Sequence, residues 1–439
     1  MILGADFMEE VLPQKWMDRI SSFIPLALVA LSLGCQPKKP PAPVPTAIDF
    51  TQELPPGAVA LRKVSPGQYP DFSQALRTLS LADLRRSTEN SLAYLRRASS
   101  ERKYPYLDIS HDRAVASLVA FREMIDTGAF ALPPEQFNRA IADRFEVYQS
   151  IGAPSPDGGG YTNKVLFTGY FTPTYDASLT RGGTYQWPLY KRPADLRGDE
   201  SGDNVNRLTP EGTLVPYYTR REIESGALAG HELVWLTSRW NAYVVTVQGS
   251  ARLRLPDGRI MEVGNAGTNG REYAKVGEKL VADGLIARKD LNFDTMRAYF
   301  AAHPETMDKY LWTNERTAFF AERPGGPFGA LNVPVTKFAS LATDKAVYPP
   351  AMVAFLSVPI PAGEAVFPVS NEGSGDGPRP FAGFALDQDR GGAIRSAGRC
   401  DIYMGIGDRA QQVSGHQLNA GELYYLAVKP ELIGKYASR

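Results

Sequence analysis

Four aspartates lie in the stretch Phe381–Ala410, where short apolar runs alternate with glycines: Asp387, Asp389, Asp401 and Asp408. Phe384–Leu386 and Ile402–Met404 predict two short buried strands. Asp389 closes the first strand and Asp401 opens the second. Two strands joined through a glycine turn can return to one sheet and bring their carboxylates close together. Such a pair suits general acid–base catalysis, because a buried cleft with two like charges raises one pKa. The alternative is that these residues only form turns.

The composition excludes several classes of function. The 439 residues suffice for two or three domains, and 43% hydrophobic with 22% charged residues is ordinary for globular proteins. Lys and Arg together number 48, equal to Asp and Glu, so no nucleic-acid partner is indicated; a neutral glycan would suit this balance. The four His and two Cys show no metal-ligand spacing, and neither a phosphate-binding loop nor a dinucleotide fingerprint is present. The sequence therefore predicts no metal and no cofactor.

The N-terminal region has the features of an export signal. Phe23–Leu33 is an apolar run of eleven residues, too short to span a bilayer, and Lys15 and Arg19 precede it. The run ends in Leu33-Gly34-Cys35, which is similar to a bacterial lipoprotein processing site. This similarity implies lipidation of Cys35. The alternative is an ordinary signal peptide with an incidental cysteine.

A proline-rich segment follows. Gln36–Gly57 contains seven prolines, which favour an extended, hydrated tether over packed structure. We therefore predict a signal peptide over residues 1–34 and a lipid-anchored tether over residues 35–57.

The remaining chain changes from helices to short strands near Gly158–Gly160. Apolar spacing predicts amphipathic helices before this loop, over Asp71–Ser99, Ser110–Thr127 and Pro133–Tyr148. Further helices are predicted over Tyr273–Asp283 and Asn292–Phe300.

The predicted strands are short and are separated by Gly and Pro. They are Val165–Pro173, Leu189–Tyr190, Leu233–Trp235, Tyr243–Ser250, a hairpin over Ala251–Val263, Met352–Val358, Ala365–Val369, Phe381–Leu386, Asp401–Tyr403 and Leu423–Val428. Such a pattern favours barrels or sandwiches over a parallel α/β sheet.

Three separated blocks resemble the membrane-bound lytic murein transglycosylase A family, whose C-terminal region contains three aspartates. The blocks lie, in the family's order, between Val165 and Pro430. They are Thr168–Pro173 with Gln186–Tyr190; Val247–Ser250 with Leu255–Gly258 and Ala266–Tyr273; and Asp389–Ile394 with Asp401–Gly405.

This resemblance implies a mainly β fold with helical decorations and a groove between two domains. A double-psi β-barrel would comprise residues 58–173 and 327–439, and a β-rich substrate-binding domain would be inserted over residues 174–326. The implied reaction is cleavage of the β-1,4 bond between N-acetylmuramic acid and N-acetylglucosamine in peptidoglycan, giving a 1,6-anhydro product.

The resemblance also assigns site residues. The family's catalytic aspartate falls on Asp401, which would act as general acid and then as general base. Asp389 matches another aspartate of the family and would support Asp401, by raising its pKa or by holding the turn. Substrate contacts are implied for Thr168, Gly169, Tyr170, Tyr190, Gln248, Gly249, Ser250, Gly391 and Gly392. Asp387 and Asp408 remain turn or surface residues.

One departure from the family pattern stands out. The family usually has Lys-Gly after Gly-Gly-Ala-Ile, whereas this chain has Arg395-Ser396. This departure leaves open the alternative of a non-catalytic murein-binding lipoprotein. The pair of aspartates leaves open a second alternative, a hydrolytic glycosidase that uses Asp389 and Asp401 as its two carboxylates.

The residue after the predicted lipidation site bears on localisation. Gln36 after Cys35 is typical of sorting to the outer membrane. A cell-wall synthesis complex is a candidate partner, and the sequence does not distinguish exo from endo action.

Overall fold

A computed structural model of the protein describes residues 47–78, 80–198, 205–361 and 378–437. The predicted signal peptide, Cys35, most of the tether and the predicted strand Ala365–Val369 lie outside these ranges. Within them, no helix combines the length and the apolar character that crossing a bilayer would require.

Helices surround two β-rich units. Their bounds are α1 Leu81–Leu95, α2 Ala98–Glu101, α3 His111–Asp126, α4 Pro134–Arg144, α5 Arg220–Glu222, α6 Arg239–Gln248, α7 Val276–Ala282, α8 Phe293–Ala302, α9 Met307–Leu311, α10 Asp408–His416 and α11 Ile433–Tyr436. Polar side chains cap the longer helices: Ser80 and Ser110 accept bonds from backbone N–H groups in the first turns of α1 and α3.

The strands fall into three sheets. Their bounds are β1 Leu61–Lys63, β2 Phe145–Ser150, β3 Val165–Thr172, β4 Thr174–Ser178, β5 Trp187–Tyr190, β6 Leu196–Arg197, β7 Asn206–Leu208, β8 Leu214–Pro216, β9 Glu232–Leu236, β10 Ser250–Arg254, β11 Ile260–Thr268, β12 Ala318–Glu322, β13 Ser340–Ala342, β14 Val353–Ile360, β15 Arg379–Asp389, β16 Arg399–Ile406 and β17 Leu418–Val428.

The first sheet closes into a barrel of six strands. Its order is β1-β2-β17-β14-β15-β13-β16-β3, and β17 also pairs with β3, which closes the ring. β13 runs parallel to β15, and β16 runs parallel to β3. Closure removes open sheet edges within the ring.

The strands between Thr174 and Glu322 form the other two sheets. The larger has the order β12-β11-β10-β4-β9-β5, and the smaller consists of β6, β7 and β8. The hairpin predicted over Ala251–Val263 is present as the antiparallel pair β10–β11. The prediction of a mainly β fold, with a double-psi β-barrel and a second β-rich domain, is confirmed.

The strand predicted over Tyr243–Ser250 was wrong, because this stretch lies largely in helix α6. Its Val-Val-Thr-Val run is typical of strands. However, Ser238 caps the helix by accepting a bond from Asn241 N–H. Trp240, Tyr243 and Val244 then recur at helical spacing and are buried. Packing of this face overrides the β propensity of the run.

Helix α6 contributes to both main hydrophobic cores. Trp240, Tyr243 and Val244 belong to the core that also fills the barrel. Ala242 and Val245, on another face of the helix, belong to the core of the six-stranded sheet β12–β5. The two β-rich units therefore share one helix at their junction.

Candidate functional site

Asp401 lies on a barrel strand between two others. In the register of the sheet it pairs with Ala342 of β13 on one side and with Thr168 of β3 on the other. Ala342 also pairs with Asp389 of β15. Asp389 and Asp401 therefore stand at the same level of the barrel, on strands separated by one neighbour. Two strand spacings place their Cα atoms about 10 Å apart.

One oxygen of the Asp401 carboxyl group is held by donors. The Thr168 hydroxyl donates a short hydrogen bond to Oδ1. Nη2 of Arg399 donates to the same hydroxyl oxygen at 2.9 Å and lies 3.5 Å from Oδ1. The side chains of Arg399 and Asp401 are 10% and 18% exposed, so this ion pair is shielded from most solvent.

The second oxygen of Asp401 is open. Among the described residues, no hydrogen bond to Oδ2 is found, and this oxygen faces the backbone of Gly391. A Cβ atom built on Gly391 would lie 3.7 Å from Oδ2. Glycine at this position therefore keeps the approach to Oδ2 free of side-chain atoms.

Asp389 is held by backbone groups rather than by a cation. Its Oδ1 accepts bonds from the N–H groups of Ala330 at 2.7 Å and Arg390 at 2.8 Å. Burial raises its pKa, and these two bonds oppose that shift only in part. The bonds tie the end of β15 to the loop before β13.

Tyr170 occupies the space next to Asp389. Its ring lies 5.1 Å from the ring of Tyr403, and its buried hydroxyl group has no hydrogen-bond partner at standard geometry within the described ranges. Burial, and then the charge of Asp389, raise the pKa of Tyr170. The Tyr170 hydroxyl group therefore faces the Asp389 carboxyl group, and its interaction with that group favours the charged form of Asp389.

Gln248 and Ser250 bind the end of strand β3. Gln248 Oε1 accepts a bond from Phe171 N–H at 3.0 Å. The hydroxyl groups of Ser250 and Thr172 lie 3.0 Å apart, and Thr172 also bonds with Tyr403 at 2.9 Å. These contacts join the end of α6 and the start of β10 to the barrel strand that carries Thr168.

Gly392 lies beside the second β-rich unit. A Cβ atom at Gly392 would lie 3.3 Å from Nε of Arg316. Arg316 O accepts a short bond from the buried guanidinium of Arg220, whose Nε donates to Asn314 O at 2.9 Å. The glycine turn before Asp401 therefore contacts the segment that leads into β12.

Three predicted contact residues lie in other surroundings. Gly169 faces α10, since a Cβ atom there would lie 2.7 Å from Ser414 Cα. Gly249 ends α6 in the left-handed conformation, with φ of 78°. Tyr190 packs against the cluster of Leu196, Tyr217, Ile223, Leu228 and Phe319. No contact in the described part of the chain links Tyr190 to Asp401.

Asp387 is not a surface residue, as the sequence suggested, but is fully buried. It forms an ion pair with Lys345 and accepts bonds from Thr343 Oγ1 at 2.7 Å and from the Tyr425 hydroxyl at 2.8 Å. The strand extends beyond the predicted end at Leu386: Asp387 lies within β15, in a run from Phe381 to Gln388 that is buried throughout. Asp408 begins α10.

Sequence reasoning missed Arg399 as a functional residue. The predicted strand began only at Asp401, whereas β16 begins at Arg399. Side chains two positions apart on a strand share a face, so a strand predicted from Arg399 would have placed it beside Asp401. Cys400, between them, is fully buried.

The arrangement offers acid–base chemistry by one carboxyl group with an open oxygen. Within the described ranges, no group of three or more His, Cys, Asp or Glu residues could hold a metal ion. The site contains Asp401, its donors Thr168 and Arg399, and a second carboxyl group, Asp389, two strands away with Tyr170 beside it.

Two family models match the chain. The model described as the MltA specific insert domain matches residues 166–321, and the model of the 3D domain matches residues 339–427. The first spans the six-stranded and three-stranded sheets, and the second spans β15, β16 and most of β17.

Relatives with established names match most of the same region. Membrane-bound lytic murein transglycosylase A of Escherichia coli K12 is 29% identical over 301 residues, covering 67% of this chain and 75% of that protein. The protein of the same name from Vibrio cholerae is 26% identical over 284 residues, covering 64% and 70%.

Solved structures share the fold. The membrane-bound lytic murein transglycosylase from Agrobacterium tumefaciens aligns with a TM-score of 0.68 at 25% identity, over 86% of this chain and 99% of that one. Escherichia coli MltA with bound chitohexaose aligns with a TM-score of 0.61 at 23% identity, over 87% and 96%.

Proposed function

The chain belongs to the membrane-bound lytic murein transglycosylase A family, and from this we propose how its residues carry out the reaction. It cleaves the β-1,4 bond between N-acetylmuramic acid and N-acetylglucosamine in peptidoglycan, as a lyase of the 4.2.2 type. The observation that carries the assignment of residues is the Asp401 carboxyl group, which has one oxygen held by Thr168 and Arg399 and the other open beside Gly391.

Asp401 first acts as a general acid. Its Oδ2 carries the proton and gives it to the glycosidic oxygen as the bond to C1 breaks. The carboxylate that forms is stabilised by the Thr168 hydroxyl and the Arg399 guanidinium, because bonds to a charged acceptor are stronger than bonds to a neutral one.

Asp401 then acts as a general base. The carboxylate takes the proton from the 6-hydroxyl group of N-acetylmuramic acid while that oxygen attacks C1. The product is the 1,6-anhydro sugar, and Asp401 regains the proton that it gave. No second carboxylate nucleophile is required, since the substrate supplies its own oxygen; this is the acid-to-base switch of a retaining glycosidase without the water step.

Asp389 supports this reaction by holding the turn. Its bonds to Ala330 N–H and Arg390 N–H fix the start of the Gly391–Gly392 turn. Tyr170, beside Asp389, contributes its ring to the glycan site. Gln248 and Ser250 hold the end of β3, which carries Thr168, and Gly391 leaves room for the glycan beside Oδ2. Residues 58–173 and 327–439 form the catalytic domain, and residues 174–326 form the inserted substrate-binding domain.

Digestion of purified sacculi tests the reaction. The native chain should release muropeptides with 1,6-anhydro ends, identified by mass spectrometry. Asp401→Asn should bind sacculi but lose turnover, and Asp408→Asn, at the start of α10, should digest normally. Hydrated reducing ends would instead indicate the hydrolytic glycosidase. Equal behaviour of the native chain and Asp401→Asn, without any release, would indicate the murein-binding protein.

The anchor is a separate part of the proposal. The relatives' names describe those proteins as membrane-bound. We propose that Cys35 is lipidated and holds the enzyme on the periplasmic face of the outer membrane, where glycan strands are within reach. Cys35→Ala should move the protein to the soluble fraction, whereas Cys400→Ala should not. Retention of Cys35→Ala in the membrane fraction would contradict the lipid anchor.

A further inference from the structure

The first described segment of the chain lies against the loop that precedes Asp401. We call Asp49–Leu54 the strap. The Ser396 hydroxyl donates a hydrogen bond of 2.7 Å to the backbone oxygen of Phe50, and Ser396 is only 1% exposed. The strap therefore covers the residue at which this chain departs from the family pattern.

Close packing reinforces the bond. A Cβ atom on Gly398 would lie 2.9 Å from the same Phe50 oxygen and 3.0 Å from Cβ of Ala153. Gly398 in turn accepts a bond from Leu166 N–H at 2.8 Å, at the start of β3. The loop before Asp401 is thus enclosed between the strap and the strand that carries Thr168.

The strap has a defined conformation. Asp49 Oδ1 accepts bonds from Thr51 N–H at 2.8 Å and from the Thr51 hydroxyl at 2.7 Å, which form a local turn around Phe50. Leu54 packs against the barrel core. Lys275 lies near Asp49 and, after the Thr51 bonds, helps to lower the pKa of Asp49. The strap is therefore ordered locally around Phe50 and anchored to the barrel core at Leu54.

We propose that the strap is a positioning element of the active site and acts through Ser396. By fixing the loop from Arg395 to Gly398, it sets where Arg399 and Asp401, at the start of β16, stand relative to Thr168. This inference rests on the proposed function. A glycine at position 396 would be more flexible and could not donate this hydrogen bond. Serine at this position therefore fixes the loop to the N-terminal segment.

The first test compares two serine variants in the full-length chain. Ser396→Ala should lower kcat for release of anhydromuropeptides about tenfold and leave KM within about twofold, because displacing a catalytic group impairs the chemical step more than binding. Ser100→Ala is the matched control: Ser100 is fully buried and donates to Arg97 O at 2.7 Å, away from the site. It should lower Tm by a similar amount and leave kcat unchanged.

The second test replaces Asp49–Glu53 with a glycine–serine segment of equal length. Alone, this change should lower kcat as Ser396→Ala does. Combined with Ser396→Ala it should cause no further loss, since both changes remove one interaction. Additive losses, or an unchanged kcat in both variants, would overturn the inference. Absence of anhydro products from the native chain would instead overturn the proposed function.

Discussion

At the scale of single residues, the Thr168 hydroxyl connects the acid–base carboxyl group to its cation. It donates to Asp401 Oδ1 and accepts from Arg399 Nη2. Both contacts depend on one oxygen atom in the barrel wall. The hydroxyl therefore fixes the carboxyl group and relays the positive charge of Arg399 to it, which a methyl group in the same place could not do.

Thr168→Val should lower kcat by about ten- to a hundredfold, because a hydrogen bond to a charged group contributes about 1.5–3 kcal/mol. KM should change little, since the hydroxyl group is already engaged by Asp401 and Arg399. Kinetics of anhydromuropeptide release from sacculi measure both constants. Thr88→Val is the control, because buried Thr88 donates to Leu84 O within α1. A normal kcat in Thr168→Val would contradict this role.

The free energy of unfolding should depend on pH through the ionisation of Asp389. Burial raises its pKa in the folded state above the usual 3.8. The unfolded chain therefore ionises first as the pH rises, and the stability that Asp389 contributes below about pH 3.8 is lost as the pH rises through the folded-state pKa. Asp389→Asn keeps the acceptor for Ala330 and Arg390 N–H but cannot ionise.

The Tm of Asp389→Asn relative to the native chain should therefore increase as the pH rises above about 3.8. Calorimetry at a series of pH values checks this. A difference in Tm that is constant with pH would show that the Asp389 carboxyl group titrates alike in both states.

The sequence identified candidate catalytic residues most readily where they lie at the ends of predicted strands. Asp401 and Asp389 could be selected because they flank predicted strands beside a glycine pair. Arg399 could not, since the predicted strand began after it and its contact with Thr168 depends on which strands become neighbours. Thr168 and Asp401 are 233 positions apart in the chain and meet only through the parallel pairing of β3 with β16.

At the scale of elements, β3, β16 and α10 approach one another too closely for any side chain at Gly169. A Cβ atom there would lie 2.7 Å from Ser414 Cα in α10 and 3.1 Å from Met404 Cγ in β16. The first neighbour is backbone and cannot rotate away. Gly169 therefore allows the helix to pack directly on the two strands that carry Thr168 and Asp401.

Gly169→Ala should destabilise the fold by about 1–3 kcal/mol, the usual cost of overpacking, because α10 must move outward. It should also lower kcat, since β3 and β16 carry the site. Urea unfolding and the sacculus assay measure the two effects. Gly182→Ala is the control, because a Cβ atom at Gly182 has no neighbour within 4 Å. Equal stability of the two variants would contradict the packing described.

The elements that could be predicted were those whose pattern agrees with their packing. The strands over Val165–Pro173, Met352–Val358 and Leu423–Val428 are present as β3, β14 and β17. The helix predicted over Pro133–Tyr148 ends at Arg144, and Phe145 begins β2, because the barrel offers β17 as a partner there. Boundaries of this kind depend on which strands pair in the folded protein. The helical state of α6 likewise depends on tertiary packing.

At the scale of the whole molecule, α6 makes the two β-rich units energetically dependent on each other. Its two faces contribute to the barrel core and to the core of the six-stranded sheet. If either core were lost, apolar residues of α6 would become exposed, and the remaining core would lose the support of an ordered helix. Chains with separate domains usually unfold in several steps. A helix shared by both cores favours a single step instead.

We therefore expect one cooperative thermal transition for the two units. Leu253→Ala, in the core of the six-stranded sheet, and Leu386→Ala, in the barrel core, remove fully buried side chains. Each should destabilise the same transition by about 2–5 kcal/mol, the range for buried Leu→Ala changes. Leu418→Ala is the control, because Leu418 is 66% exposed. Calorimetry that resolved two transitions, each moved by only one core variant, would show that α6 does not couple the units and that the six-stranded sheet unfolds independently of the catalytic barrel.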